Sequence, residues 1–313
     1  MKFCGVAMLI GVLLFGLSSP EVALSADATI WQPSAGHRQI PIWPNTPPDQ
    51  PSMPGPETLK GGAVTNVIDP TITVYAPTAR HTRAAVLVIP GGGFQILAMD
   101  LEGTEICDWL TSKGITCILL KYRVPSAPYV WKCDCRPHNL AISVPSLEDT
   151  QRSLRLVRHH AAEWGIDRRK IGVLGFSAGG FLVAEASTHF NDHLYASVDA
   201  ADRESARPDF AIALYPGHLS LAKNNIALNP EIKNRITAET PATFLLQNED
   251  DSVDRVEDAM SYYMALKEAG VPVELHAYAQ GGHAFGLREK RLPVSAWPRL
   301  VETWLGTIGM IPK

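Results

Sequence analysis

A mostly parallel central sheet flanked by helices on both faces, an α/β architecture, follows from three features of this sequence. Strand-like and helix-like stretches alternate along most of its 313 residues, the pattern that βαβ crossovers produce. Ala85–Ile89 (AVLVI) is an unbroken apolar, β-branched run, as a strand buried on both faces requires. Gly175-Phe176-Ser177-Ala178-Gly179 lies between an apolar strand and a helical run, so the chain turns sharply there from sheet to helix.

The elements follow in order. Residues 1–26 read as a secretory signal peptide: Lys2 is basic, Cys4 to Leu17 is apolar but short for a membrane span, and Ser25, Ala26 and Ala28 are small. This predicts a periplasmic or extracellular protein with no stable membrane insertion after cleavage. Residues 27–56 form a proline-rich arm, with eight of the 24 prolines between Trp31 and Pro56. Such a segment cannot be helical, so an extended arm laid over the domain is expected, with at most an edge strand at Ile40–Trp43. Residues 57–313 then read as one domain.

Within that domain, strands are expected at Thr71–Tyr75, Ala85–Ile89, Ile115–Tyr122, Lys170–Leu174, Phe210–Leu214, Thr243–Leu246 and Val273–Tyr278. Helices are expected from Asp100 to Ser112, Ser146 to Trp164, Ala178 onward, Arg255 to Ala269 and Val294 to Ile308. Ser146 and Asp149 have the spacing of a capping box for the second of these.

Composition excludes several functions. The net charge is −4, without the basic excess that nucleic acid binding needs. Beyond the N-terminus no stretch of 18 apolar residues suggests a membrane span. Cys107, Cys117, Cys133 and Cys135 remain after signal removal, and three full pairings stay open. Cys133-Asp-Cys135 lacks the spacing and second ligand pair of a zinc site, so no metal is expected. Gly91-Gly92-Gly93-Phe94 lacks the endings of phosphate- and dinucleotide-binding loops, so no nucleotide cofactor is expected either.

The chemistry centres on Ser177. In a G-x-S-x-G turn the serine is held exposed at the C-terminal edge of the sheet. A serine hydroxyl attacks poorly without a base, and ten histidines compete for that role. His283, in Gly281–Gly286 (GGHAFG), follows the strand Val273–Tyr278 in a glycine-rich loop, and it is assigned as the base. His159 and His160 lie on a helix, His189 and His193 flank a helix end, and His276 alternates within a strand. His37, His81, His138 and His218 have no partner identifiable from sequence.

The base needs an acid to fix its tautomer, and Glu249, Asp250, Asp251 and Asp254 compete in one turn. Asp254 has capping-box spacing to Glu257 and is assigned to the helix start. Of the rest, Asp251 is preferred and Asp250 stands next. Acyl transfer also needs donors for an oxyanion. Gly92 and Gly93, after the buried strand Ala85–Ile89, and the Ala178 N–H are the expected donors. Phe94, Tyr129 and Trp131 are candidate substrate contacts.

These motifs resemble the α/β-hydrolase superfamily, and within it the bacterial acetyl-esterase and acetyl-xylan-esterase-like (BD-FAE-like) branch. The resemblance covers about Val64 to Gly286. It rests on Pro90–Phe94 (PGGGF), Leu101-Glu102-Gly103, Lys121-Tyr122-Arg123, Gly175–Gly180 (GFSAGG), Arg207–Phe210 (RPDF), Tyr215-Pro216-Gly217, Glu249–Val253 (EDDSV) and GGHAFG. It implies an α/β-hydrolase fold and a Ser177–Asp251–His283 triad. It also implies a small-molecule or oligosaccharide ester as substrate, with short acyl groups, acetyl foremost, on carbohydrate or another polyol. The sequence departs from the branch at Ser252, where proline is usual, and in a long stretch from Pro125 to Pro145. The rival readings are a general carboxylesterase or lipase, which would need a large apolar lid, and a non-catalytic binding protein, which would have lost Ser177 or His283.

Overall fold

The computed structural model describes residues 30–50, 52, 55–126, 140–222 and 225–313, with Met1. The expected signal peptide, Tyr129, Trp131, Cys133 and Cys135 lie outside the described residues. Among the described residues no helix is long and apolar enough to cross a membrane.

An eight-stranded sheet forms the centre. Its strands are β1 (Gln39–Pro41), β2 (Thr71–Tyr75), β3 (Ala85–Ile89), β4 (Thr116–Lys121), β5 (Ile171–Phe176), β6 (Phe210–Leu214), β7 (Ala242–Asn248) and β8 (Val273–Tyr278). They lie in the order β1-β2-β4-β3-β5-β6-β7-β8. β1 and β2 run antiparallel at one edge, and every pairing from β4 to β8 is parallel. The expected mostly parallel sheet is therefore found. β3, β4, β5 and β6 are buried at every position, as strands covered by helices on both faces must be. Gly172 in β5 is required by its neighbour, since a Cβ there would stand 2.2 Å from the Phe210 ring.

The helices of eight or more residues are α1 (Glu105–Ser112), α2 (Leu140–His159), α3 (Ala178–Thr188), α4 (Val256–Glu268) and α5 (Trp297–Thr307). α3 is buried along its whole length, and its small, apolar sequence AGGFLVAEAST permits close approach to the sheet. α1 is preceded by a π-helical turn at Asp100–Thr104, and α5 by a 3₁₀ turn at Pro293–Ala296. α2 departs most from expectation. It starts at Leu140 instead of Ser146, with Pro145 inside it. Ser146 does not cap it but bonds through Oγ to the Arg123 carbonyl at 3.2 Å.

The proline-rich segment is held by buried polar contacts. Trp43 donates from Nε1 to Asp149 Oδ1 at 2.7 Å, and the guanidinium groups of Arg123 and Arg152 lie 5.9 and 5.8 Å from its ring. Arg152 also donates to the Ile42 carbonyl at 2.9 Å, and Arg123 to that of Pro48. Ile42 and Trp43 thus belong to the hydrophobic core, with Asp149 bridging Trp43 and Arg123.

Candidate active site

Ser177 stands between β5 and α3, as the N-cap of the helix. Its backbone has φ 52° and ψ −118°, a region that non-glycine residues occupy only where the surroundings impose it. The surroundings are tight. A Cβ on Gly175 would meet the Gly179 carbonyl at 2.2 Å, and one on Gly179 would meet that of Ile89 at 2.1 Å. Those two glycines let the strand fold back into the helix. The Ser177 N–H bonds to the Leu214 carbonyl of β6 at 3.1 Å, and its own carbonyl accepts from Phe181 in α3 at 3.0 Å.

His283 arrives on the loop after β8. Its Nε2 lies 3.0 Å from Ser177 Oγ, and its Nδ1 lies 2.7 Å from Asp251 Oδ2. Ser177, His283 and Asp251, separated by up to 106 positions in the chain, are thus joined by two hydrogen bonds. Asp251 is anchored in turn. Its Oδ1 accepts from the N–H groups of Val253 and Asp254 at 2.8 and 3.0 Å, and its Oδ2 accepts from Gln247 at 3.0 Å. Asp250 points elsewhere and accepts from the Gly282 N–H at 2.7 Å, bracing the histidine loop. Asn248 adds a bond from Nδ2 to the Gly282 carbonyl at 2.8 Å.

Burial of the imidazole opposes its charge. Burial is the largest single influence, but the hydrogen bond to Asp251 and the charges of Asp254, Asp251 and Glu102 together exceed it, so the His283 pKa lies above its ordinary value. A neighbouring carboxylate that accepts from Nδ1–H favours the imidazolium in this way.

The glycine loop after β3 faces the serine turn. Gly92 and Gly93 have φ 133° and 60°. A Cβ on Gly92 would stand 2.1 Å from the Ile96 carbonyl, so only glycine fits. The Gly91 N–H is already taken by Glu102 Oε2 at 2.7 Å. The N–H groups of Gly92, Gly93 and Ala178 have no hydrogen-bond acceptor among the described residues. The Ala178 N–H also belongs to the N-terminus of α3, where the helix dipole favours negative charge. Phe94 is turned inward, 2% exposed, with its ring edge-on to Phe181 at 6.2 Å.

Three residues near this centre had no place in the chemistry assigned from sequence. Glu102 accepts from the Tyr215 hydroxyl at 2.8 Å as well as from Gly91. The Tyr215 ring lies edge-on to the His283 ring at 4.9 Å. Asp254, read as a helix cap, instead accepts from Ser177 Oγ at 3.2 Å. The helix begins later, with Arg255 at the N-cap and its N–H bonded to Asp258 Oδ2 at 3.2 Å. Glu102 and Tyr215 did stand in quoted motifs (LEG and YPG), but nothing local says that they meet.

A polarised serine, an imidazole held by a carboxylate, and open N–H donors together allow nucleophilic attack on a carbonyl with stabilisation of the resulting oxyanion. Comparison with known proteins agrees with the architecture. The chain is 34% identical to the acetyl ester-xyloside bifunctional hydrolase of Caldicellulosiruptor lactoaceticus, over 87% of this chain and 97% of that one, with a TM-score of 0.69. It is 27% identical over 222 residues to an acetylxylan esterase of Xylanibacter ruminicola and 28% over 233 residues to endo-1,4-beta-xylanase B of Butyrivibrio fibrisolvens. Those matches take in 64% and 68% of this chain but only 41% and 34% of the relatives' own lengths. The BD-FAE family model matches residues 72–260, from β2 through the turn carrying Asp251 and Asp254 into α4. With more than half of its length matched, and with the α/β-hydrolase strand order around the serine turn, this chain belongs to the BD-FAE family.

Proposed function

We propose that this protein is a secreted serine esterase that removes short acyl groups, acetyl foremost, from carbohydrate or another polyol. The observation that carries the reading is the pair of hydrogen bonds, at 3.0 and 2.7 Å, linking Ser177 Oγ to His283 and His283 to Asp251. His283 Nε2 takes the hydroxyl proton as Ser177 Oγ attacks the ester carbonyl. The oxyanion accepts hydrogen bonds from the N–H groups of Gly92, Gly93 and Ala178. His283 then protonates the departing alcohol, leaving an acyl-serine. Water, deprotonated by the same imidazole, releases the acid and restores Ser177.

The family membership and the names of the relatives support an ester substrate carried on xylan-type sugars. The Cys107–Cys117 disulfide fits export to an oxidising compartment. The test is Ser177→Ala assayed on an acetylated xylo-oligosaccharide and on acetyl and long-chain chromogenic esters. The wild type is expected to prefer the acetyl substrates and the variant to lose turnover on all of them. Undiminished turnover by the variant ends the proposal, and preference for long chains makes the protein a lipase-type esterase instead.

A further inference from the structure

Ser177 has one hydroxyl proton and two acceptors for it. Besides His283 Nε2 at 3.0 Å, the Asp254 carboxylate reaches Ser177 Oγ at 3.2 Å. The same Asp254 Oδ2 lies 3.8 Å from His283 Nε2, and Asp254 Oδ1 lies 3.9 Å from His218 Nδ1. Asp254 is buried, 1% exposed. Its placement is built into the turn. Its N–H bonds to Asp251 Oδ1 at 3.0 Å, and its carbonyl accepts from Gln247 Nε2 at 2.9 Å. Gly217 makes room for it, since a Cβ there would stand 2.4 Å from Asp254 Oδ1. Two acids on one turn therefore bracket one imidazole: Asp251 holds the Nδ1 edge and Asp254 stands beside the Nε2 edge.

We propose that Asp254 is a second catalytic carboxylate, which holds the Ser177 hydroxyl while His283 is protonated and serves as a second counter-ion to the imidazolium formed during attack. This rests on the serine-esterase reading of the site. In the resting acid form Nε2–H donates to Ser177 Oγ, and the serine proton is held by Asp254. When His283 loses its proton, the hydroxyl turns its own proton to Nε2 and attack becomes possible. The carboxylate thus has opposite effects at two stages. It makes the neutral base harder to obtain, and it lowers the energy of the charged imidazole once the proton has moved.

The other groups near the ring are accounted for. Asp251 bonds to Nδ1, and Glu102 acts at longer range through its charge. Tyr215 presents its ring edge, its hydroxyl being bound to Glu102. Asp250 and Lys290 bind the backbone of the loop at Gly282 and Gly281. Among these, Asp254 is the acid that also touches the nucleophile.

The decisive variant is Asp254→Asn, which keeps the shape and an acceptor for the hydroxyl but removes the charge. Two readouts are taken: the NMR titration of the His283 imidazole and the pH profile of kcat and kcat/KM on an acetyl ester. The imidazole is expected to titrate about one pH unit lower, as loss of an adjacent opposite charge requires. The acidic limb of kcat/KM should move down with it, while kcat on the plateau falls about tenfold, the weight of one such unit on the imidazolium. If Asn does not fold, Asp254→Ser is read in the same way. An imidazole titration and acidic limb unchanged from wild type overturn the proposal and leave Asp254 a packing residue. If the wild type hydrolyses no ester, the esterase reading fails separately, and the NMR titration still decides whether Asp254 holds the charge of His283.

Discussion

The Glu102 carboxylate and the Tyr215 hydroxyl, 113 positions apart in the chain, meet at 2.8 Å with both side chains buried. This bond joins the two loops on which the proposed chemistry depends. Glu102 Oε2 holds the Gly91 N–H at the root of the glycine loop. The Tyr215 hydroxyl accepts from the Gly286 N–H at 3.4 Å, and its ring packs on His283 and Phe285 at 4.9 and 4.6 Å. Burial pushes the Glu102 pKa up, against the pull of the bonds from Tyr215 and Gly91 and the field of His283.

Tyr215→Phe removes the hydroxyl and leaves Glu102 Oε1 and the Gly286 N–H without that partner in a buried place. An unsatisfied buried group costs about 1–3 kcal/mol, so the midpoint of urea unfolding should fall accordingly. Because the ring stays, the histidine loop should remain in place but less firmly held, and kcat should fall more than KM rises. Unfolding curves and steady-state kinetics on one preparation check both. An unchanged midpoint would show that water satisfies the two groups instead.

The raised pKa of His283 gives opposite pH dependences to activity and stability. In the proposed mechanism His283 works as base only when neutral, so the acidic limb of kcat/KM should lie above the ordinary imidazole value of about 6.5. The bonds to the imidazolium stabilise the fold fully below the unfolded-state pKa, and that contribution is lost as pH rises through the higher folded-state value. Activity should therefore rise over the pH range in which this part of the stability declines. Asp251→Asn takes away the carboxylate bonded to His283 Nδ1, which the proposal has fixing the tautomer. By analogy with other triads it should cost about 10⁴ in kcat, and it should bring the imidazole titration down. A limb below 6 in the wild type would contradict this electrostatic picture.

The sheet and the serine turn were legible because their causes are local. AVLVI is a short, β-branched apolar run of strand length and is a doubly buried strand, and Gly175 is fixed by the Gly179 carbonyl four positions on. The same local logic misassigned Asp254. Its spacing to Glu257 is that of a capping box, yet the helix starts at Val256 with Asp258 as the bonded acid. A bond to Ser177, 77 positions away, leaves no trace in the spacing of Asp254. Ser146 and Asp149 failed as a cap for a related reason, since their side chains are engaged by Arg123 and Trp43 in the core. Sequence can propose local hydrogen bonds for a polar side chain, but burial against distant partners decides among them.

Gly92→Ala tests the glycine loop. The new methyl would meet the Ile96 carbonyl at 2.1 Å, and φ 133° is itself unfavourable for a side chain. The loop must shift, and the N–H groups of residues 92 and 93 shift with it. Loss of one oxyanion donor costs about 2.7–4 kcal/mol of transition-state stabilisation, a fall of about 10²–10³ in kcat. Binding of an unreactive substrate analogue should change far less. A variant with full kcat would place the oxyanion elsewhere.

The Cys107–Cys117 disulfide separates stability from activity. It links α1 to β4 across ten positions of chain, with both cysteines fully buried. A closed loop of this size constrains the unfolded chain by about 3 kcal/mol in the loop-entropy account. Cys117 pairs in register with Val86, itself opposite Gly172 near the start of β5, whereas Ser177 follows the last residue of that strand. The bridge therefore sits toward the opposite end of the sheet from the serine. Replacing both cysteines by alanine should lower the unfolding free energy by about 3 kcal/mol or somewhat more, as some packing is lost too. The kcat of the folded protein should stay within about twofold, since contacts of Ser177, His283 and Asp251 are untouched. Because the sulfurs are shielded, dithiothreitol should reduce the native protein only as fast as it opens, and addition of urea should accelerate the reaction. Rapid reduction of the folded protein, or a large loss of kcat in the alanine variant, would couple this end of the sheet to the edge that carries Ser177.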